Sequence, residues 1–184
     1  MSYYSMGYAS IIEDYITLDS AELERISAAC ADSAFQLLDR EEARFTVSQE
    51  DGGFTFPDFY YQMSVPLFSV RIYEPLRDML EGCFVKKALL RDGSSEVPYM
   101  LVLPPRIDAL DIRKSEIIEN YGTREAPLYE LGKTALRKDC AGRYHLFKIK
   151  DALDDRIFVT EAFKRRAEAL NAEGAAFWEA ETGE

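Results

Sequence analysis

The sequence has a single histidine, His145, and only three cysteines, Cys30, Cys83 and Cys140, in 184 residues. One histidine excludes two-histidine zinc sites and the His-Glu-x-x-His helix of metalloproteases. Three widely spaced cysteines with no Cys-x-x-Cys pair exclude zinc ribbons and dithiol redox chemistry, and predict reduced, mostly buried thiols. Gly-x-Gly-x-x-Gly and Gly-x-Ser-x-Gly are both missing, which removes the dinucleotide fingerprint and the hydrolase nucleophile elbow. "LGKT" (131–134) ends like a phosphate loop, but the first glycine of that motif would fall at Pro127 and no apolar strand precedes it. No apolar run approaches the ~20 residues of a membrane helix. The opening "MSYYSMGYASIIEDYITLD" lacks the early Lys or Arg of a secretory leader, so the expected location is the cytoplasm. Basic residues are in short supply, 22 against 33 acidic ones, and Lys164-Arg165-Arg166 is their only run. Neither nucleic acid nor an anionic membrane is an expected partner, and no cofactor or metal is expected.

What is present is a globular composition: 47% apolar residues with 11 Tyr and 11 Phe, too aromatic for a disordered chain. The length predicts one domain over 1–184. The net charge of −11 is uneven, because residues 1–60 hold 12 acids against 3 bases and residues 61–184 hold 21 against 19. An acidic N-terminal part serves solubility or steers a basic partner.

Local patterns predict the elements. Tyr and Ile between Ser2 and Leu18 favour one or two strands, and Leu23, Ile26, Ala29 and Cys30 fall at helical spacing within a helix from about Ala21 to Leu38. Phe45 to Val47 and Phe54 to Phe56 flank an Asp51-Gly52-Gly53 turn signal and predict a hairpin. The aromatics of "FPDFYYQMSV" are core, or else an exposed anchor for a partner. A helix after Ser69 carries Ile72, Leu76, Met79 and Leu80 on its apolar face, with Pro75 predicting a kink or a later start and Gly82 closing it. Strands then flank a polar turn at Arg91 to Glu96. Residues 106–137 are the least regular stretch, "GRYHLFKIK" returns to strand, and "RIFVTEAFKRRAEAL" runs from strand into helix before a last strand after Gly174. Strands and helices do not alternate strictly, so the expected class is α+β, a mixed or antiparallel sheet with flanking helices. "PLFSVRIYEPLRDMLEG" and "RIFVTEAFKRRAEALNAEG" share a plan. Chance recurrence of short elements is the preferred explanation, with two similar strand–helix–strand units from duplication as the alternative.

Few residues suggest chemistry. Strand alternation places His145 with Phe147 and Ile149, which suits a structural role better than a general base. Asp108 and Asp111 are spaced like a carboxylate pair for a hydrolase or a hard metal, yet Arg106, Arg113 and Lys114 offer them salt bridges, the preferred reading.

Four segments, "PLFSVRIYEPLRDMLEG", "YMLVLPPRIDALDIRKSE", "GRYHLFKIK" and "RIFVTEAFKRRAEALNAEGAAFWE", in this order and spacing, resemble a family of bacterial immunity proteins from polymorphic toxin systems, over roughly residues 66–184. Pro75, Thr160 in place of Ser, and the acidic first 60 residues depart from the pattern. The resemblance implies a non-enzymatic protein that binds a cognate toxin and neutralises it by blocking its active site or an exosite, monomeric or homodimeric when free. Candidate partner-binding residues are Tyr60, Tyr61, Tyr121, Asp108 and Asp111. The alternatives are a small-ligand-binding or regulatory domain with an aromatic pocket, and behind it a hydrolase built on Asp108, Asp111 and His145.

Overall fold

A computed structural model of the chain describes residues 2–8, 26, 43–46, 56–62, 65–93 and 95–183. Most of the predicted N-terminal helix and the Asp51-Gly52-Gly53 turn lie outside the described residues, though Ile26 is helical and buried.

The architecture corrects the α+β expectation: the described residues are mostly β, in several sheets, and their helices are short. Strands β1 (Tyr3–Tyr8), β2 (Ala43–Thr46), β3 (Phe59–Gln62) and β4 (Val65–Ser69) precede helix α1 (Val70–Leu76), which passes into a 3-10 turn at Arg77–Met79. Strands β5 (Phe84–Asp92) and β6 (Ser95–Leu103) form a long hairpin. Then come β7 (Arg106–Ile107), β8 (Ile117–Asn120), β9 (Tyr129–Leu131), β10 (Ala135–Leu136), β11 (Leu146–Ile149), β12 (Ile157–Thr160), helix α2 (Glu161–Ala169), β13 (Ala175–Glu179) and β14 (Glu181–Thr182). One five-stranded sheet has the order β13-β1-β12-β11-β7 and the other β2-β5-β6-β4-β3, with two small ribbons, β8-β9 and β10-β14. The irregular stretch 106–137 therefore contributes four strands. They are two to four residues long, too short to give a period a sequence can display.

Alternation along the strands gives each sheet two apolar faces. In the β2–β6 sheet, Phe45, Tyr60, Leu67, Leu90 and Leu101 point to one side with Ile26, while Phe59, Phe68 and Val102 point to the other. That second face meets Ile157, Val159 and Met6 of the first sheet, with Ile72, Leu76, Phe163 and Ala167 from both helices completing one continuous core. The far side of the first sheet, Tyr3, Phe147, Ile149 and Phe158, is covered by Ala109, Leu110, Leu136 and Ala152. Sheets buried on both faces leave α1 and α2 little to cover, so short helices suffice there. Residues Tyr3–Tyr8 lie at the heart of this arrangement, since β1 pairs with β12 on one side and β13 on the other.

The two strand-to-helix joints are held differently. Thr160 caps α2 by accepting from the Phe163 backbone N–H at 3.4 Å, and its hydroxyl also meets His145 Nδ1 at 2.8 Å. Ser69 occupies the same position before α1 but makes no cap; its hydroxyl donates to Asp58 Oδ1 at 2.6 Å. Pro75 does not delay α1. The helix runs through it and ends one residue later, passing into the 3-10 turn. Gly82 follows at φ +79°, where an added Cβ would stand 2.5 Å from the Tyr144 ring, so both conformation and space demand glycine.

Candidate interaction surface

Between β7 and β10 the chain leaves the body as a hairpin arm, Ser115 to Leu131, made of β8, β9 and the loop joining them. β9 is the inner strand: Tyr129 and Leu131 pack on the core around Phe147 and Phe158, and Tyr129 forms a bridge with Ala152. β8 is the outer strand, exposed at every position. The base is tied by the Ser115 hydroxyl, which accepts from the Ala135 N–H at 3.0 Å and donates to the Ala135 carbonyl at 3.2 Å.

The loop at the tip is closely organised. Asn120 Oδ1 accepts from the backbone N–H groups of Gly122 and Leu128, both at 3.0 Å, and Thr123 Oγ1 accepts from the Ala126 N–H at 3.0 Å. Gly122 has no room for a side chain, because a Cβ there would lie 2.2 Å from the Ala126 carbonyl oxygen and 2.6 Å from the Leu128 nitrogen, both backbone atoms. Gly122→Ala is expected to open the tip: hydrogen exchange at Gly122, Ala126 and Leu128 rises, while global stability falls by only about 1 kcal/mol because the tip carries little core. A loss of the whole fold in that variant would contradict a separately closed tip.

The arm and the turn that leads into it carry large apolar side chains in water. Of the seven exposed large hydrophobics among the described residues, four fall between Ile112 and Tyr121: Ile112, Ile117, Ile118 and Tyr121, the last two 60% and 57% exposed. The Tyr121 hydroxyl donates to Glu130 Oε2 at 3.0 Å, with Glu119 close by. Hydrogen bonding to those two carboxylates and their charge push its pKa up to about 12.

The other predicted residues are placed as follows. Tyr60 is buried in the outer core, 4% exposed, and presents almost no surface in this conformation. Tyr61, half-buried, donates its hydroxyl to the Asp155 carbonyl, and the buried Lys148 Nζ stands 5.9 Å from its ring centre. Asp108 is exposed and pairs with Arg137 at 3.0 Å; Asp111 accepts from the Arg113 N–H at 3.1 Å, a local turn. Asp108, Asp111 and Tyr121 thus belong to one stretch, while Tyr60 and Tyr61 are part of the β3 strand inside the fold. Neither Asp108 nor Asp111 hydrogen-bonds His145, whose Nδ1 is occupied by Thr160. The sequence reading missed Ile112, Ile117 and Ile118; "DIRKSEIIENYG" interleaves them with charges in a way that suits an exposed strand, but nothing in the pattern separates exposed isoleucine from buried.

A cleft of about 320 Å³ lies beside β1, β12 and β13, lined by Ser5, Lys133, Thr134, Arg156, Phe158 and Glu179 among others. Its cations have partners already: Arg156 binds Asp154 and the Thr134 hydroxyl, and Lys133 binds Glu181. Among its described lining residues Phe158 is the one aromatic. Among the described residues no cluster of three His, Cys, Asp or Glu side chains is arranged to hold a metal, and no helix is long and apolar enough to cross a membrane.

The family model described as immunity protein family (Imm11) matches residues 40–182 of this chain. The match starts at residue 40 rather than 66, so it takes in β2 and β3 as well as the four segments that carried the resemblance. No curated protein matches the sequence.

Proposed function

We propose, from the premise that this chain belongs to the immunity protein family (Imm11), that it binds a cognate toxin and neutralises it by covering the toxin's active site or an exosite. It works in the cytoplasm of the producing cell, without catalysis, as a monomer or homodimer that becomes a heteromeric complex. The observation that carries this reading beyond family membership is the arm: a pre-ordered hairpin that exposes isoleucines and a tyrosine from a body whose sheets are covered on both faces. Exposed apolar groups rimmed by polar ones mark protein-binding surfaces. Asp108 and Asp111, at the entry to the arm, and Tyr121, at its tip, are proposed partner contacts. The acids of residues 1–60 and the overall charge of −11 favour fast encounter with a basic toxin.

The test uses the protein encoded immediately upstream in the source genome. Mixed in pure form, the two are expected to elute together from a sizing column and to bury on the order of 1,600 Å². Elution as separate species at micromolar concentrations contradicts the reading.

A further inference from the structure

The arm differs from the rest of the surface in its charges as well as its apolar groups. From Ser115 to Leu131 it carries Glu116, Glu119, Glu125 and Glu130 against a single base, Arg124, a balance of 4 − 1, or net −3. Elsewhere among the described residues most acids are neutralised: Asp58, Glu74, Asp78, Glu81, Glu96, Asp108, Asp154, Asp155, Glu161, Glu168 and Glu181 all sit in ion pairs, while Asp111, Asp139, Asp151, Glu173 and Glu179, scattered over the surface, do not. Among the described residues none of the four arm carboxylates has a cationic partner. Like charges gathered on one short ribbon repel one another.

We propose that β8 and the tip of the arm dock against a basic, partly apolar patch of a protein partner, with Ile118 and Tyr121 buried as anchors and Glu119 and Glu130 paired with its lysines or arginines. The inference rests on the immunity reading, in which that partner is the toxin, and it assigns the surface and the partner's chemistry. Three observations converge. Ile118 and Tyr121 offer apolar area that the fold itself does not use. The unpaired carboxylates beside them supply the complementary half of an interfacial ion-pair set. The Asn120 and Thr123 hydrogen bonds hold the tip in one conformation before binding, so little ordering remains to be done on association. The two kinds of group divide the kinetics. Carboxylates govern encounter and salt dependence, while buried anchors govern dissociation.

The experiment measures association and dissociation rates between the full chain and the immobilised upstream-encoded protein, at low and high salt. The Glu119→Lys, Glu130→Lys double variant is expected to associate about tenfold more slowly at low salt and to lose most of its salt dependence. Ile118→Ala with Tyr121→Ala is expected to dissociate at least about 30-fold faster, as for loss of two central anchors. Arg165→Glu, on the exposed face of α2, is expected to leave both rates unchanged. Thermal melting of each variant checks the fold, and Glu119→Gln with Glu130→Gln replaces the lysine pair if that pair melts early. Wild-type binding that all arm variants retain would overturn the arm as the interface and leave the immunity reading standing. A wild-type chain that neither binds nor protects against the upstream protein would bring down both.

Discussion

Phe68→Ala is expected to lower the stability of the chain by about 4 kcal/mol, the upper part of the range for emptying an aromatic from a closed core. Phe68 is fully buried on β4, between β3 and β6, and its ring meets Phe59 edge-on with centres 5.5 Å apart. The core cluster it belongs to draws on both five-stranded sheets and on α1 and α2, so the hole opens where the layers join and no single element can move to fill it. Urea unfolding followed by tryptophan fluorescence gives the number. A loss under about 1 kcal/mol would mean that the two sheets do not share the core described.

The second large effect belongs to Asp58, whose buried carboxylate holds together three segments distant in sequence. It accepts from the Ser69 hydroxyl at 2.6 Å, from Arg71 Nε at 2.9 Å and Arg71 Nη2, and from the Glu173 N–H at 3.1 Å. Arg71 in turn donates to the carbonyls of Leu170 and Asn171, just past the end of α2. One acid thus fastens α1 to the turn after α2. Burial opposes its charged form, but the hydrogen bonds from Arg71, Ser69 and Glu173 outweigh that and keep the carboxyl below its ordinary value. Asp58→Ala leaves the Ser69 hydroxyl and the Glu173 N–H without their acceptor and is expected to cost about 2–3 kcal/mol, less than a fully buried pair because the Arg71 side chain is 54% exposed. The pH dependence follows from the lowered value. The unfolded chain binds this proton more readily than the folded one, so the contribution is complete above the ordinary aspartate range, about pH 4, and is lost as pH falls through the lower folded value. Asp58→Asn is therefore expected to flatten the acid limb of the stability curve. An unchanged acid limb would show that Asp58 is not held in its charged form.

The parts of this fold that were legible in the sequence are those with strong local rules. Gly82 and Gly174 stand after helices at φ +79° and +85°, the aromatic stretch after Gly174 is β13, and the polar turn near Gly93 joins two strands. The β-rich balance was not legible. The strand entries before both helices were legible, but the helices they feed are only seven and nine residues long, and residues 106–137, which look irregular, supply four strands too short to show a period. Ser69 stands at the N-cap position of α1 and instead serves Asp58, a partner 11 residues away that no local pattern reveals. Tyr60 and Tyr61 are consecutive on one strand, so they face opposite cores, and sequence alone could not say that both faces of that sheet are covered. On the candidate surface, the sequence singled out Tyr121 and the irregular stretch around it. It gave no sign that the isoleucines beside it stay in water, because exposure there depends on β8 being the outer strand of its ribbon, paired with β9 alone among the described strands.

The central claim is protection, and growth measures it. The upstream gene is expressed from an inducible promoter in a susceptible host, alone or with this chain, and colony-forming units are counted after induction. Loss of viability with the upstream gene alone, restored by this chain and not by the arm variant Ile118→Ala with Tyr121→Ala at low expression, is the expected result. Death regardless of this chain, or a neighbour that is harmless on its own, would contradict the assignment of this protein to immunity against it.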